Sequence, residues 1–181
     1  MRIIGGEFRG RRLNSPKTDH IRPTTDRMRE TIFNILDNRY DVLSGARVLD
    51  AFAGTGALGL EALSRGAGHV TFVDKDRRSL DLLSQNIKLL NIQEKTHIQR
   101  RDILKTHHTD PFDLIFLDPP YNHKLLLPAL DFLHSKTLLS DKSLIVIELS
   151  AAESLDVPDF IDFLDDRIYG DSRIIFSQYN F

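Results

Sequence analysis

Val48-Leu49-Asp50-Ala51-Phe52-Ala53-Gly54-Thr55-Gly56-Ala57-Leu58-Gly59 decides the fold. Two apolar residues lead into an acid, and Gly54, Gly56 and Gly59 then fit the pattern G-x-G-x-x-G. Glycines let a chain turn sharply out of a strand and let a ligand approach the backbone closely. Ala57 to Ser64 continues as a helix, and Val70-Thr71-Phe72-Val73 is the next strand. Asp74 closes that strand twenty residues after Gly54, the place of a ribose-binding acid. A glycine turn that only packs helix on strand would need no acid there.

The loop also restricts the ligand. Dinucleotide sites set the first glycine directly after the strand, so that the helix N-terminus faces a pyrophosphate. Here Asp50 ends the strand, and Phe52 and Ala53 stand before the first glycine. An acid at a strand end suits a cation better than a phosphate. S-Adenosylmethionine carries two cations, an ammonium and a sulfonium, and no phosphate. No Gly-Lys-Ser/Thr follows, which excludes a phosphate-binding P-loop. Asp102, after a weak third strand at His97-Ile98-Gln99, is a candidate acceptor for an adenine amino group.

Outward from this unit, strands and helices alternate. Leu80 to Leu90 and Leu125 to Leu139 read as helices, Phe112 to Leu117 and Ser143 to Glu148 as strands. Short strands around Arg167–Tyr169 and Arg173–Tyr179 flank a turn at Gly170-Asp171. The expectation is an α/β, doubly wound Rossmann-like sheet, mostly parallel, with an antiparallel C-terminal edge hairpin. Residues 1–20 form a basic, Gly-rich hairpin or arm, and residues 21–181 the main domain. Pro23, Thr24, Thr25 and Asp26 open a helix whose Met28, Ile32, Ile35 and Leu36 face a core.

Phe112-Asp113-Leu114-Ile115-Phe116-Leu117-Asp118-Pro119-Pro120-Tyr121 carries the chemistry. Two prolines stiffen a turn at the carboxyl end of a strand, where open α/β sheets bind ligands. An exocyclic amine on a base is a poor nucleophile, because its lone pair is delocalised into the ring. Acceptors on the Asp118 carboxylate and the Pro119 carbonyl would bind its two N–H groups and aim the lone pair at a methyl donor. Tyr121 would stack on the base. The sulfonium is already activated, so the rate comes from orientation and electrostatics.

Together these motifs resemble class I S-adenosylmethionine-dependent methyltransferases that modify exocyclic amines. The resemblance is closest to the RsmD family, whose members methylate N2 of one guanine in bacterial 16S rRNA. Arg2-Ile3-Ile4-Gly5-Gly6 with Arg9-Gly10-Arg11, and Arg22-Pro23-Thr24-Thr25-Asp26-Arg27 with Arg29-Glu30-Thr31, carry the family-specific part. Gly56-Ala57-Leu58-Gly59-Leu60-Glu61-Ala62 extends it, while the C-terminal third matches only in layout. The resemblance implies that Asp50, Phe52, Gly54 and Gly56 line the methionine end of the cofactor, that Asp74 holds the ribose and Asp102 the adenine. Arg22 and Thr25 fall in a segment near the cofactor. Asp118, Pro119, Pro120 and Tyr121 would hold the target guanine, and Arg9, Arg11, Arg12 and Lys17 the rRNA phosphates. S-Adenosylhomocysteine would be the product, and the small ribosomal subunit the partner. An adenine-N6 DNA methyltransferase shares Asp-Pro-Pro-Tyr, and an NAD-binding oxidoreductase shares the glycine pattern. The first usually needs a target-recognition domain, and the second leaves Asp118 to Tyr121 unexplained.

Composition sets the remaining bounds. The chain has 181 residues and no cysteine, which excludes disulfides, thiolate metal sites and a cysteine nucleophile. His107-His108 are adjacent, and no histidine pair has metal spacing on a helix, so no metal is expected. No apolar run approaches the ~18 residues of a membrane span, and the start lacks a signal-peptide core. A cytoplasmic monomer is expected. The net charge of −2 hides a gradient: residues 1–30 hold eight Lys/Arg and four Asp/Glu, residues 151–181 two and seven. The first end suits phosphate. The acids Asp156, Asp159, Asp162, Asp165 and Asp166 read as the solvated side of an amphipathic segment around Phe160, Phe163 and Leu164.

Overall fold

The structure is a computed structural model that describes residues 1–15, 26–119 and 125–180. Its strands are β1 (Arg47–Asp50), β2 (His69–Asp74), β3 (Thr96–Arg100), β4 (Phe112–Leu117), β5 (Leu139–Ser150), β6 (Ile161–Tyr169) and β7 (Ser172–Tyr179). Its α-helices are α1 (Asp26–Ile35), α2 (Ala57–Ser64), α3 (Arg77–Leu90) and α4 (Leu126–Ser135). The seven strands form one sheet in the order β3-β2-β1-β4-β5-β7-β6. β1 to β5 are parallel, and β7 runs antiparallel to both β5 and β6. The Rossmann-like expectation therefore holds, including the C-terminal hairpin, which turns at Gly170 (φ +59°). Strand order reverses between β1 and β4, the crevice where such sheets bind ligands.

Side-chain alternation divides the core into two layers. Val48, Val70, Phe72, Leu114, Phe116, Leu144, Val146, Ile174 and Phe176 face one side. There they meet Met28, Ile32 and Phe33 of α1, Leu60 and Leu63 of α2, and Leu83 and Ile87 of α3. Leu49, Val73, Ile115, Leu117, Ile145 and Ile147 face the other side, with Leu126, Leu130 and Leu133 of α4. The central strands are apolar on both faces, as a doubly covered parallel sheet requires.

The N-terminal segment is a hairpin joined by the Arg2–Arg12 bridge, and it packs on the first layer through buried Ile3 and Leu13. Buried polar side chains fasten it, among them Glu61, Ser64, Asn86 and Arg29. Glu61 of α2, wholly buried, accepts from the backbone N–H groups of Ile4 and Gly5, both at 2.8 Å, and from Arg65 at 2.9 Å. Asn86 of α3 accepts from the Asn14 N–H at 2.8 Å and donates to its carbonyl at 3.1 Å. Gly6 is required at the turn: its φ is +73°, and a Cβ would lie 1.8 Å from the Ser64 carbonyl oxygen. Glu61→Ala leaves two N–H groups and the Arg65 guanidinium short of an acceptor. It should lower the unfolding free energy by about 3–5 kcal/mol in urea titrations, and Glu61→Gln by less.

Of the C-terminal acids read as a solvated face, Asp156, Asp159, Asp162 and Asp166 are exposed and Asp165 is part-buried. β6 is a nine-residue strand, and its acids form ion pairs. Asp165 bonds Arg39 at 2.8 Å and Arg167 at 3.0 Å, and Asp166 bonds Arg173 at 2.6 Å. These pairs tie the sheet edge to its neighbour and to the π-helical turn Leu36–Tyr40 that follows α1. Periodicity read β6 as amphipathic, but an edge strand with one wet face gives a similar pattern. β5 is also longer than its apolar run, because Leu139 pairs with Phe112 before the register shift that precedes Leu144.

Candidate active site

The glycine loop leaves β1 at its carboxyl end. Gly54 has φ +52° and would give a Cβ open space, so conformation alone selects glycine there. Gly56 has φ +82°, and a Cβ would also lie 2.4 Å from Leu83 Cδ1. Gly59 answers to packing: its Cβ would lie 2.3 Å from the Phe72 ring, so its absence seats α2 on β2.

Two carboxylates brace the loop. The Gly54 N–H donates to Asp74 Oδ2 at 2.6 Å, and the Asp76 N–H to Asp74 Oδ1 at 2.8 Å. The Gly59 N–H donates to Asp50 Oδ2 at 3.0 Å. Asp50 is only 3% exposed, and burial pushes its carboxyl up to about 7, against the Gly59 hydrogen bond and with help from the charge of Asp74.

Pleating places the acids. Asp50 follows Val48, Asp74 follows Phe72, and Asp118 follows Phe116, all on the face shared with α1, α2 and α3. β1 pairs Asp50 with Phe116 of β4, so Asp118 lies just beyond Asp50 at the same sheet edge. Burial raises the Asp118 carboxyl well above the usual range, and the charges of Glu148 and then Asp50 add to it. Among the described residues, no hydrogen-bond donor reaches the Asp118 carboxylate. Glu148 was not singled out from the sequence. Its signal was available: like the other three, it is an acid closing an apolar strand run.

Pro119 follows Asp118, partly buried. Phe52, also partly buried, packs on the opposite layer beside Ala51 and Leu49. Asp102 caps a 3-10 turn, accepting from the Leu104 N–H at 3.1 Å, and pairs with Lys75 at 2.7 Å. The Lys75 hydrogen bond holds its carboxyl below the usual range. Arg9, Arg11 and Arg12 are exposed and form no ion pair among the described residues. Arg22, Thr25, Lys17, Pro120 and Tyr121 lie outside the described residues. Among those described, no group of acids and histidines is arranged to hold a metal, and no helix is long and apolar enough to cross a membrane.

A row of buried and part-buried carboxyls suits a cationic ligand better than a pyrophosphate.

The sequence family described as Conserved hypothetical protein 95 matches residues 1–178. The chain belongs to that family, the RsmD family. Ribosomal RNA small subunit methyltransferase D of Escherichia coli strain K12 is 38% identical over 156 residues, covering 86% of this chain and 77% of that protein. The Buchnera aphidicola protein of the same name is 37% identical over 158 residues, covering 86% and 81%. Among solved structures, the Escherichia coli chain yhhF superposes with a TM-score of 0.89 at 34% identity, covering 99% of this chain and 98% of that one. A Haemophilus influenzae chain superposes with a TM-score of 0.81 at 31% identity, covering 99% and 98%. The likeness to both solved chains extends over the C-terminal third, where the sequence resemblance was one of layout only.

Proposed function

We propose that this chain transfers a methyl group from S-adenosylmethionine to the exocyclic N2 amine of a guanine in 16S rRNA, acting as a cytoplasmic monomer on the small ribosomal subunit. The observation that carries the reading is the row Asp50–Asp118 on one sheet face, directly beside the Gly54–Gly56 turn. The names of the relatives support rRNA as the substrate class.

S-Adenosylmethionine, when bound, supplies an electrophilic methyl on a cationic sulfur. The protein's part is binding, orientation and proton handling. Asp50 faces the ammonium, and Asp74 holds the Gly54 turn while offering lone pairs to ribose hydroxyls. The Asp118 carboxylate accepts one N–H of the guanine amine, and the Pro119 carbonyl accepts the other. A cation in the row favours the ionised carboxyls, so Asp118 becomes an acceptor when the pocket is filled. The bound cofactor would supply a methyl whose bonding pair stays with its sulfur; Asp118 and Pro119 would hold the amine in line with that methyl, and Asp118 would accept the proton the amine gives up. The target base must be unstacked, since an amine inside a helix cannot reach the pocket.

The test is labelled methyl transfer to small subunits, naked 16S rRNA and DNA, followed by nucleoside analysis. N2-Methylguanosine from small-subunit RNA is expected. Label found only in N6-methyladenine refutes the reading. Arg9, Arg11 and Arg12 contribute phosphate contacts, which position the RNA without specifying its sequence. Neutralising all three should reduce the slope of log K against log salt by about 2–3. An unchanged slope removes the hairpin from the interface.

A further inference from the structure

Asp-Pro-Pro-Tyr binds an amine, and both guanine and adenine have one. The motif leaves open what tells the two bases apart. On the reading above, which this inference presupposes, the pocket requires a group that senses the ring nitrogen next to the amine. In guanine that nitrogen is N1–H, a donor beside the N2 donors. In adenine it is a bare N1, an acceptor beside the N6 donors.

The sheet sets a second acceptor beside Asp118. β4 and β5 pair Leu117 with Ile147, so the next step of the register brings Asp118 and Glu148 side by side. Leu144 and Val146 belong to the same core layer as Leu114 and Phe116, and pleating turns Glu148 to the face that carries Asp118. Neighbouring strands are ~4.8 Å apart, so carboxyls at adjacent strand ends are near enough to converge on one base edge. The two carboxyls interact: the Glu148 charge is the largest charged contribution raising Asp118. Glu148 is also aimed from behind, because Ser172 Oγ of β7 donates to its Oε1 at 3.1 Å. A carboxylate accepts several hydrogen bonds, so the contact with Ser172 does not exhaust its capacity as an acceptor.

We propose that Glu148 accepts the N1–H of the target guanine while Asp118 accepts the N2 amine, so that the two strand ends together select guanine over adenine. Facing adenine, Glu148 would oppose a lone pair with a charge and find no donor. A site built to receive a donor rejects an analogue without it far more strongly than a site of matched shape alone.

2-Aminopurine separates the two contacts, since it keeps the N2 amine but has a bare N1. Small subunits are reassembled with 16S rRNA carrying guanine or 2-aminopurine at the position the wild-type protein methylates. The wild type should prefer guanine by about 100-fold or more in kcat/KM. Glu148→Gln presents an amide that can accept from N1–H or donate to a bare N1. It should lower transfer to guanine and raise transfer to 2-aminopurine, bringing the ratio within about tenfold. A gain on 2-aminopurine cannot come from misfolding. The assignment is overturned if the wild type methylates both bases equally, or if Glu148→Gln lowers both rates in step. A wild type that methylates no guanine at all overturns the methyl-transfer reading and this assignment with it.

Discussion

Asp118→Ala is expected to reduce methyl transfer by about 10³-fold or more while S-adenosylhomocysteine binding stays within a few-fold of wild type. The asymmetry follows from position. Asp50 and Asp74 stand at the glycine loop, and both are engaged by its backbone N–H groups. Asp118 has no such engagement among the described residues, and it stands one strand further along, beside Glu148. Removing it deletes the acceptor that aims the amine and takes its proton, and leaves the loop intact. Asp118→Asn keeps the shape and could accept one N–H, but it cannot take the proton. It should fall between the two. Calorimetry with S-adenosylhomocysteine and single-turnover transfer would separate the effects. Loss of binding parallel to loss of transfer would place Asp118 at the cofactor instead.

The fold was readable because its governing signals are local. The glycine turn, the apolar runs and the helix Ala57 to Ser64 each depend on neighbours in sequence, and α2 and β4 appear with the bounds read for them. Among the C-terminal acids read as a solvated face only Asp165 is part-buried, and the sequence could not show it because its partner Arg39 lies 126 residues away. Glu61 and Asn86 escaped notice for the same reason, since a buried polar residue within a helix looks like its exposed face until the hairpin is seen against it. Glu148 shows a different limit. The sequence contains an acid after an apolar run, but only the pairing of β4 with β5 makes that acid a neighbour of Asp118. Strand adjacency is a long-range property, and the chemistry of this site is written mainly in strand adjacency.

Asp50 should make cofactor binding depend on pH in a way that can be calculated in direction. Its carboxyl is held at about 7 in the folded protein by burial, against an ordinary 3.8. Below pH 7 it is mostly protonated, and pairing with the cofactor ammonium first requires that proton to leave. The affinity for S-adenosylhomocysteine should therefore fall about tenfold for each unit below 7 until the ordinary carboxylate range is reached. Above about 8 the ligand's amino group loses its proton and the pairing weakens again. The same shift acts on stability with the opposite sense. Between the unfolded and folded values the native state binds more protons than the unfolded state, so the stability of the free protein declines as pH rises from about 4 to about 7. The full cost of ionising Asp50 in the empty site is on the order of 4 kcal/mol, and a bound cation offsets much of it. S-Adenosylhomocysteine should thus raise Tm more at pH 7.5 than at pH 5.5. Asp50→Asn retains an acceptor for the Gly59 N–H but has nothing to titrate. It should flatten the affinity profile below pH 7, weaken binding at pH 7.5 by about 10–100-fold, and raise the stability of the free protein there. Wild-type steepness retained in Asp50→Asn would move the titration to another group of the row, with Asp118 the next to replace.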